Sequence, residues 1–218
     1  MEYASFQLIE NDYTPSIISI GSRFTPVWRQ NRWDEGEYQE FVRKNGCGHC
    51  CASMALRLQG VDMDPHGEFA LCRRLWGEPV REGDFPQDNF QSVSGITKIL
   101  RHFGVKAEYF GVPDLKTAEQ QFDAALKAGK QVIFWSHPTA KFPENPFSKN
   151  EHYVLAVGYT EDGRILIANS SERWTETAVQ LVDIQTIMRA LFLGANPVEM
   201  TWGERDRYEQ CAGYVVVG

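Results

Sequence analysis

The sequence predicts an α+β domain, in which a helical half of the chain precedes an antiparallel β-sheet. Helical spacing of apolar residues recurs between residues 48 and 128, whereas strand-like apolar runs follow from residue 131 to the terminal "GYVVVG". The chain has 218 residues, of which 43% are hydrophobic, so it can bury a large core. We therefore expect a single domain over residues 1–218.

The N-terminal residues 1–26 show little regular pattern beyond a β-rich run at 16–24, so we expect an irregular segment there. The first helix is predicted at 48–58, where four apolar side chains fall on one face. These side chains are Cys51, Met54, Ala55 and Leu58. Because small and apolar residues also cover much of the remaining circumference, we expect this helix at the centre of the domain.

Further helices and strands follow in the order that an α+β fold requires. Helices are predicted at 66–76, 94–103 and 117–128. Strands are predicted at 131–137, 152–159, 164–169 and the C-terminal run. Residues 27–170 would thus hold the core, and residues 171–218 would complete the sheet. The segments 77–93 and 138–150 are expected to be loops that border a cleft.

Composition limits the partners and the location of the protein. A formal net charge of −7 and the lack of a long Lys/Arg run argue against a nucleic-acid or anionic-membrane partner. No apolar run reaches the roughly 20 residues that span a bilayer. Five cysteines, an odd number, fit a reducing compartment better than a disulfide framework. We expect a cytoplasmic protein that acts on a peptide or protein, or a secreted one if an export signal has been removed. The sequence leaves its oligomeric state open.

The segment "NGCGHCC" places a cysteine at the start of the first helix. Gly46 and Gly48 flank Cys47 directly before the helical pattern begins. Unpaired N–H groups and the macrodipole at a helix N-terminus stabilise an anion, and the thiolate is the nucleophilic form of cysteine. This position favours a reactive thiol with a lowered pKa. A small buried residue before a core helix is the alternative interpretation.

A nucleophilic thiol needs a base, and the second half of the chain offers one. His152 opens a predicted strand, and Asn169 closes the next strand across the "TEDG" turn. Because alternate residues share one face of a strand, pairing about this turn brings the two side chains close together. An imidazole held by a side-chain amide is the arrangement that a Cys-His-Asn triad requires.

Four motifs in this order resemble those of the papain-like cysteine peptidases. They are "RQNRW", "GCGHCCASMAL", "EHYVLAVGY" and "LIANSS", within residues 27–170. The resemblance is to the bacterial branch related to the peptidases that remove double-glycine leader sequences from bacteriocin precursors. It implies a papain-like fold, in which a central helix carrying the cysteine packs on a C-terminal antiparallel sheet carrying the histidine and the asparagine.

The resemblance also implies a role for each motif residue. Cys47 would be the nucleophile, His152 the general base and then acid, and Asn169 the residue that orients the imidazole. Gln30 would donate its side-chain amide to the oxyanion, together with the backbone N–H of Cys47. Gln39 is the alternative donor, although Gln30 has a tryptophan three residues on, as the family pattern requires.

The chain departs from the family pattern at two places. His49 stands where proline is usual, and Ser-Ser follows Asn169 in place of Asp-Pro. Neither departure removes a reacting group, and His49 is expected to point away from the sulfur. We therefore expect hydrolysis of a peptide or amide bond through a Cys47 thioester, without a cofactor. Amidase, deamidase or acyltransferase reactions through the same intermediate are alternatives, as is a module that binds a peptide without turnover.

Zinc binding is a different interpretation of the same cysteine cluster. Soft ligands crowd at positions 47, 49, 50 and 51, with His66 and Cys72 downstream. Structural zinc sites usually take ligand pairs from two separate elements, whereas this cluster lies at the start of one helix. We therefore interpret Cys50, Cys51 and Cys72 as packing residues and expect no bound metal.

Overall fold

A six-stranded antiparallel β-sheet lies at the centre of the fold. The computed structural model describes residues 2–9, 14–30, 43, 45–76, 92–111, 114–137, 145–149, 151–171, 178–191 and 212–218. The strands of this sheet are β4 (Ala107–Phe110), β5 (Gln131–Ser136), β6 (His152–Tyr159), β7 (Ile165–Ala168), β8 (Val179–Val182) and β9 (Tyr214–Val217). They lie in the order β4-β9-β5-β6-β7-β8, and each neighbouring pair is antiparallel.

Helices cover both faces of this sheet. They are α1 (Cys47–Leu58), α2 (Pro65–Trp76), α3 (Val93–His102), α4 (Leu115–Lys127) and α5 (Ile184–Ala190). Residues of α1, α2 and α3 share one buried cluster with one side of the sheet, while α4 and α5 share another with the opposite side. The predicted α+β class is confirmed. None of the described helices is long and apolar enough to cross a membrane.

Strand β6 belongs to both buried clusters. Tyr153, Leu155 and Val157 pack on the α1 side, whereas Val154 and Ala156 pack on the α4 side. The predicted strand at 152–159 is therefore confirmed, with successive side chains on opposite faces. Because both faces of β6 are covered, its sequence is apolar at almost every position instead of alternating with polar residues.

The N-terminal residues form a second, three-stranded antiparallel sheet. The β-rich run predicted at 16–24 is confirmed, whereas the expectation of an otherwise irregular segment over 1–26 was wrong for its described part. The strands are β1 (Ala4–Leu8), β2 (Ser16–Ile20) and β3 (Arg23–Val27), paired in the order β1-β2-β3. Only Ala4 of β1 is buried, so this strand shows no alternating pattern in the sequence. Pro26 within β3 also weakens the strand signal.

The N-terminal sheet packs against β6 at a glycine. Ile18, Ile20 and Ala4 join the buried cluster on the α1 side of the main sheet. A Cβ atom built on Gly158 would lie 3.0 Å from Cδ1 of Ile20, which is closer than carbon atoms pack without adjustment. The pairing of β6 with β7 also shifts register between Ala156 and Gly158. The missing side chain therefore allows the two sheets to approach each other.

Gly158→Ala is expected to lower the free energy of unfolding by about 1–2 kcal/mol, because the new methyl group crowds Ile20. Ile20→Val removes the Cδ1 atom that the methyl group meets. In the Ile20→Val background, Gly158→Ala should therefore lower the free energy of unfolding by less. Urea unfolding of the two single variants and the double variant measures this coupling. Gly111→Ala, whose Cβ would meet nothing within 4 Å, is the control. An equal cost of Gly158→Ala in both backgrounds would contradict the packing argument.

Candidate functional site

Cys47 is the first residue of α1, at a helix end with no side-chain cap. The N-cap residue is Gly46, which supplies no side-chain hydrogen bond. The backbone N–H groups of Gly48 and Tyr153 both point at the sulfur of Cys47. Tyr153 directly follows His152 in β6, so the thiol lies beside the start of that strand. The helix end thus presents its N–H groups to the cysteine and to the space around it.

The structure brings His152 and Asn169 together. Nε2 of His152 lies 2.8 Å from Oδ1 of Asn169, and both residues are buried. The amide group of Asn169 is held at its other end, because Nδ2 donates to the carbonyl of Phe147 at 2.9 Å and to Oε1 of Gln180 at 3.3 Å. Oδ1 also accepts a hydrogen bond from the backbone N–H of Ser171. The prediction that these two side chains meet is confirmed.

This amide orientation fixes the tautomer of the imidazole. Since Nδ2 of Asn169 donates, its Oδ1 is the acceptor that faces His152. Nε2 of His152 therefore carries a proton, and in the neutral ring Nδ1 is left as the basic nitrogen. The imidazole is thereby set to take a proton on the side away from Asn169.

A short segment at 145–149 supports the asparagine. Nδ2 of Asn145 donates to the hydroxyl of Ser136 at 2.7 Å, and the backbone N–H of Phe147 donates to Oδ1 of Asn145 at 2.9 Å. Gln180 donates to the carbonyl of Pro146 at 2.7 Å. The two acceptors of Asn169 are thus fixed by strands of the main sheet. Phe147 is linked through Asn145 to the end of β5, and Gln180 belongs to β8.

Burial opposes ionisation of both the thiol and the imidazole. Burial raises the pKa of the Cys47 thiol to about 11, and the N–H groups that point at the sulfur offset only part of this effect. The expectation of a lowered pKa for Cys47 was therefore wrong, because it left out the desolvation of the sulfur. Burial also lowers the pKa of His152 to about 4, against the opposing hydrogen bond with Asn169. At neutral pH the resting site holds a thiol and a neutral imidazole.

Gln30 lies next to the segment that follows Asn169. Its backbone N–H donates to the carbonyl of Ser170 at 3.1 Å, and its Oε1 accepts from the Ser170 hydroxyl at 3.3 Å. Its Nε2 is 3.5 Å from the carbonyl of Arg43, at the long limit of a hydrogen bond. The Ser170 hydroxyl also lies against the sulfur of Cys50, whose thiol is fully buried. Gln30 is thus tied to the asparagine end of the site.

Sequence reasoning missed Ser170, and it placed residues 145–149 in a loop that borders the cleft without predicting their contact with Asn169. The only signal for Ser170 was the Ser-Ser pair that replaces Asp-Pro in the family pattern. Gln39, the alternative oxyanion donor, lies outside the described residues. So do most of the expected cleft walls at 77–93 and 138–150.

His49 faces the neighbouring helix. Its Nδ1 is hydrogen bonded to the carboxylate of Glu68 on α2. Of the zinc ligands considered from the sequence, Cys72 meets His49. The potential metal ligands that gather among the described residues are His49, Glu68 and Cys72. The compact zinc site at positions 47, 49, 50 and 51 is therefore not formed in the described part of the chain.

Comparison with known proteins identifies the family. A solved structure from Bacillus anthracis, described as that of a candidate C39-like peptidase, aligns with a TM-score of 0.47 and 15% sequence identity. The alignment covers 79% of this chain and 88% of the other. No curated protein matches the sequence significantly. Residues 25–192, well over half of the chain, match the sequence profile of the Peptidase_C39 like family. The chain therefore belongs to the Peptidase_C39 like family of papain-like cysteine peptidases.

Proposed function

We propose that this protein hydrolyses a peptide or amide bond with a Cys47–His152–Asn169 triad, in a single domain over residues 1–218. The hydrogen bond between His152 and Asn169 carries the proposal, because it leaves Nδ1 of the imidazole as the basic nitrogen. The position of Cys47 adds to it, since the sulfur lies against the backbone N–H of the residue after His152. The substrate is a peptide or a protein.

The reaction begins with transfer of the Cys47 thiol proton to Nδ1 of His152. The sulfur attacks the carbonyl carbon, and the resulting tetrahedral oxyanion collapses as the C–N bond breaks. His152 gives its proton to the leaving amine, which leaves a thioester on Cys47. Water then adds to the thioester while His152 takes one of its protons. The carboxylic acid leaves, and the proton returns to the sulfur.

The uncapped end of α1 is suited to the oxyanion. The backbone N–H of Cys47 belongs to the first turn of the helix, where the N-cap residue Gly46 supplies no side-chain hydrogen bond. Gln30 is proposed as the second donor. Its Nε2 makes only a 3.5 Å contact with the Arg43 carbonyl, so a stronger acceptor can draw it away.

Cys47→Ala is expected to lower the rate of hydrolysis by at least about 10³-fold, because it removes the nucleophile. Profiling with a peptide library and an isopeptide panel provides the substrate. Cys51→Ala, on the apolar side of the same helix, is the matched control and should keep turnover. Iodoacetamide labelling followed by peptide mapping should find the reactive thiol at Cys47. Hydrolysis by Cys47→Ala at the parent rate would overturn the proposal, and tight peptide binding without turnover by the parent would favour a binding module.

Asn169→Asp is expected to raise the pKa of His152 from its value of about 4, because a carboxylate next to the ring favours the imidazolium. The titration midpoint of the ring should rise by about one to three pH units, as measured by NMR of the imidazole protons. Gln180→Glu is the control. It adds the same charge to a side chain that contacts Asn169 and not the ring, so it should shift the titration midpoint of His152 less. An unchanged midpoint in Asn169→Asp would mean that the asparagine does not contact the ring in solution.

His152 is expected to make folding sensitive to acid. Its pKa is about 4 in the folded protein and 6.5 in the unfolded chain, so between these values the unfolded state binds more protons. Stability is therefore lost as the pH falls from 6.5 toward 4, by about 3 kcal/mol. Urea unfolding at pH 7 and pH 4.5 measures the loss. Over this interval the free energy of unfolding should fall by about 2–3 kcal/mol less in His152→Gln than in the parent. An equal fall in both proteins would contradict burial of a neutral ring.

A further inference from the structure

Three residues of metal-binding type meet between α1 and α2, outside the proposed catalytic site. His49 lies in the first turn of α1, while Glu68 and Cys72 lie one turn apart on the facing side of α2. All three side chains are fully buried. Nδ1 of His49 is hydrogen bonded to one oxygen of Glu68, and the Cys72 thiol donates to the other at 3.4 Å. We call these residues the His49–Glu68–Cys72 cluster.

The cluster is costly for a hydrophobic core to contain. The ring of Phe69 packs edge-on against that of His49, with 4.9 Å between the ring centroids. The buried cluster on the α1 side of the sheet surrounds the three residues. Taking a carboxylate and an imidazole out of water costs several kcal/mol, which apolar residues of similar volume would avoid. Packing alone therefore gives no reason for a carboxylate, an imidazole and a thiol to meet at this place.

We propose that the His49–Glu68–Cys72 cluster binds a zinc ion. An imidazole nitrogen, a carboxylate oxygen and a thiolate sulfur are the three kinds of ligand that zinc takes in proteins. The ligand atoms already lie within 4.8 Å of one another. Zinc–ligand bonds of about 2.0–2.3 Å place tetrahedral ligands roughly 3.5 Å apart, so the ion needs a contraction of about 1 Å. A water molecule takes the fourth position.

Charge balance also favours a divalent ion here. One Zn²⁺ with the Glu68 carboxylate, the Cys72 thiolate and a neutral His49 ring has no net charge. A neutral assembly is the kind that a fully buried site tolerates best. Binding displaces the thiol proton of Cys72 into solvent. The proton between His49 and Glu68 moves to Nε2 of the ring as their hydrogen bond is replaced by two bonds to the metal, so the ring stays neutral.

The ligands of this cluster come from two helices, whereas the cysteine cluster considered from the sequence lies on one. The crowded ligands at positions 47, 49, 50 and 51 all lie on one helix, whereas the cluster takes one ligand from α1 and two from α2. Paired ligands on separate elements are typical of structural zinc sites. The ion would fasten the first turn of α1 to α2, two residues from Cys47. Its presence does not depend on the proposed hydrolysis.

Metal content tests the site directly. The full chain is stripped with a chelator, reloaded with excess Zn²⁺, dialysed and measured by elemental mass spectrometry. The parent should retain about one equivalent of zinc and Cys72→Ser less than a tenth of that. Cys51→Ser makes the same substitution at another fully buried cysteine outside the cluster, so it should bind zinc like the parent. Zinc should also raise the melting temperature of the parent and of Cys51→Ser.

Two outcomes would overturn the proposal. One is a parent protein that retains no zinc after dialysis, and the other is a Cys72→Ser variant that retains as much as the parent. If Cys72→Ser does not fold, the test uses Co²⁺ in place of Zn²⁺. The metal is added to the Cys47→Ala variant, which keeps the cluster but lacks the half-buried thiol of Cys47. A thiolate-to-cobalt charge-transfer band, reduced at least tenfold by Glu68→Gln, then supports the site. The absence of this band contradicts it.

Discussion

The orientation of the Asn169 side-chain amide is the interaction on which the rest of the site depends. The carbonyl of Phe147 and the side chain of Gln180 both accept from its Nδ2, so its Oδ1 is left to face His152. Those acceptors are in turn held by a hydrogen bond to Asn145 and by another to the Pro146 carbonyl. A network that begins at the ends of β5 and β8 thereby leaves Nδ1 as the basic nitrogen of the imidazole. A site of this kind is set by backbone carbonyl groups as much as by its reacting side chains.

The electrostatics of the site follow from its burial. A thiol and a neutral imidazole bury no net charge, and burial moves the pKa values of Cys47 and His152 in the directions that preserve this state. In the proposed reaction, the negative charge that develops on the substrate oxygen appears beside the open end of α1. The N–H groups there would then stabilise the transition state more than the resting enzyme, which is the difference that lowers an activation barrier.

Sequence patterns predicted the parts of the fold whose signal is local. The helix that begins at Cys47, and the meeting of His152 with Asn169, follow from periodicity and from one tight turn. The short strands β1, β4 and β8 were missed because few of their side chains are fully buried. Helix α5 has seven residues, too few for a clear period, although Asp183 caps it through the N–H of Thr186. Glu68 on an amphipathic helix has the sequence signal of a solvated residue, so its buried partnership with His49 could not be predicted.

The position of β9 has a consequence for how the protein folds. This strand is the last of the described strands along the chain, yet it lies inside the main sheet between β4 and β5. Strand β5 pairs on its other side with β6, which carries His152. Until residues 214–217 have been synthesised, the described strands offer no partner to β4 or to the edge of β5 that faces it. Such late, long-range pairing slows folding and leaves the growing chain open to wrong partners. The proposed hydrolase would thus gain its complete sheet only after β9 has left the ribosome.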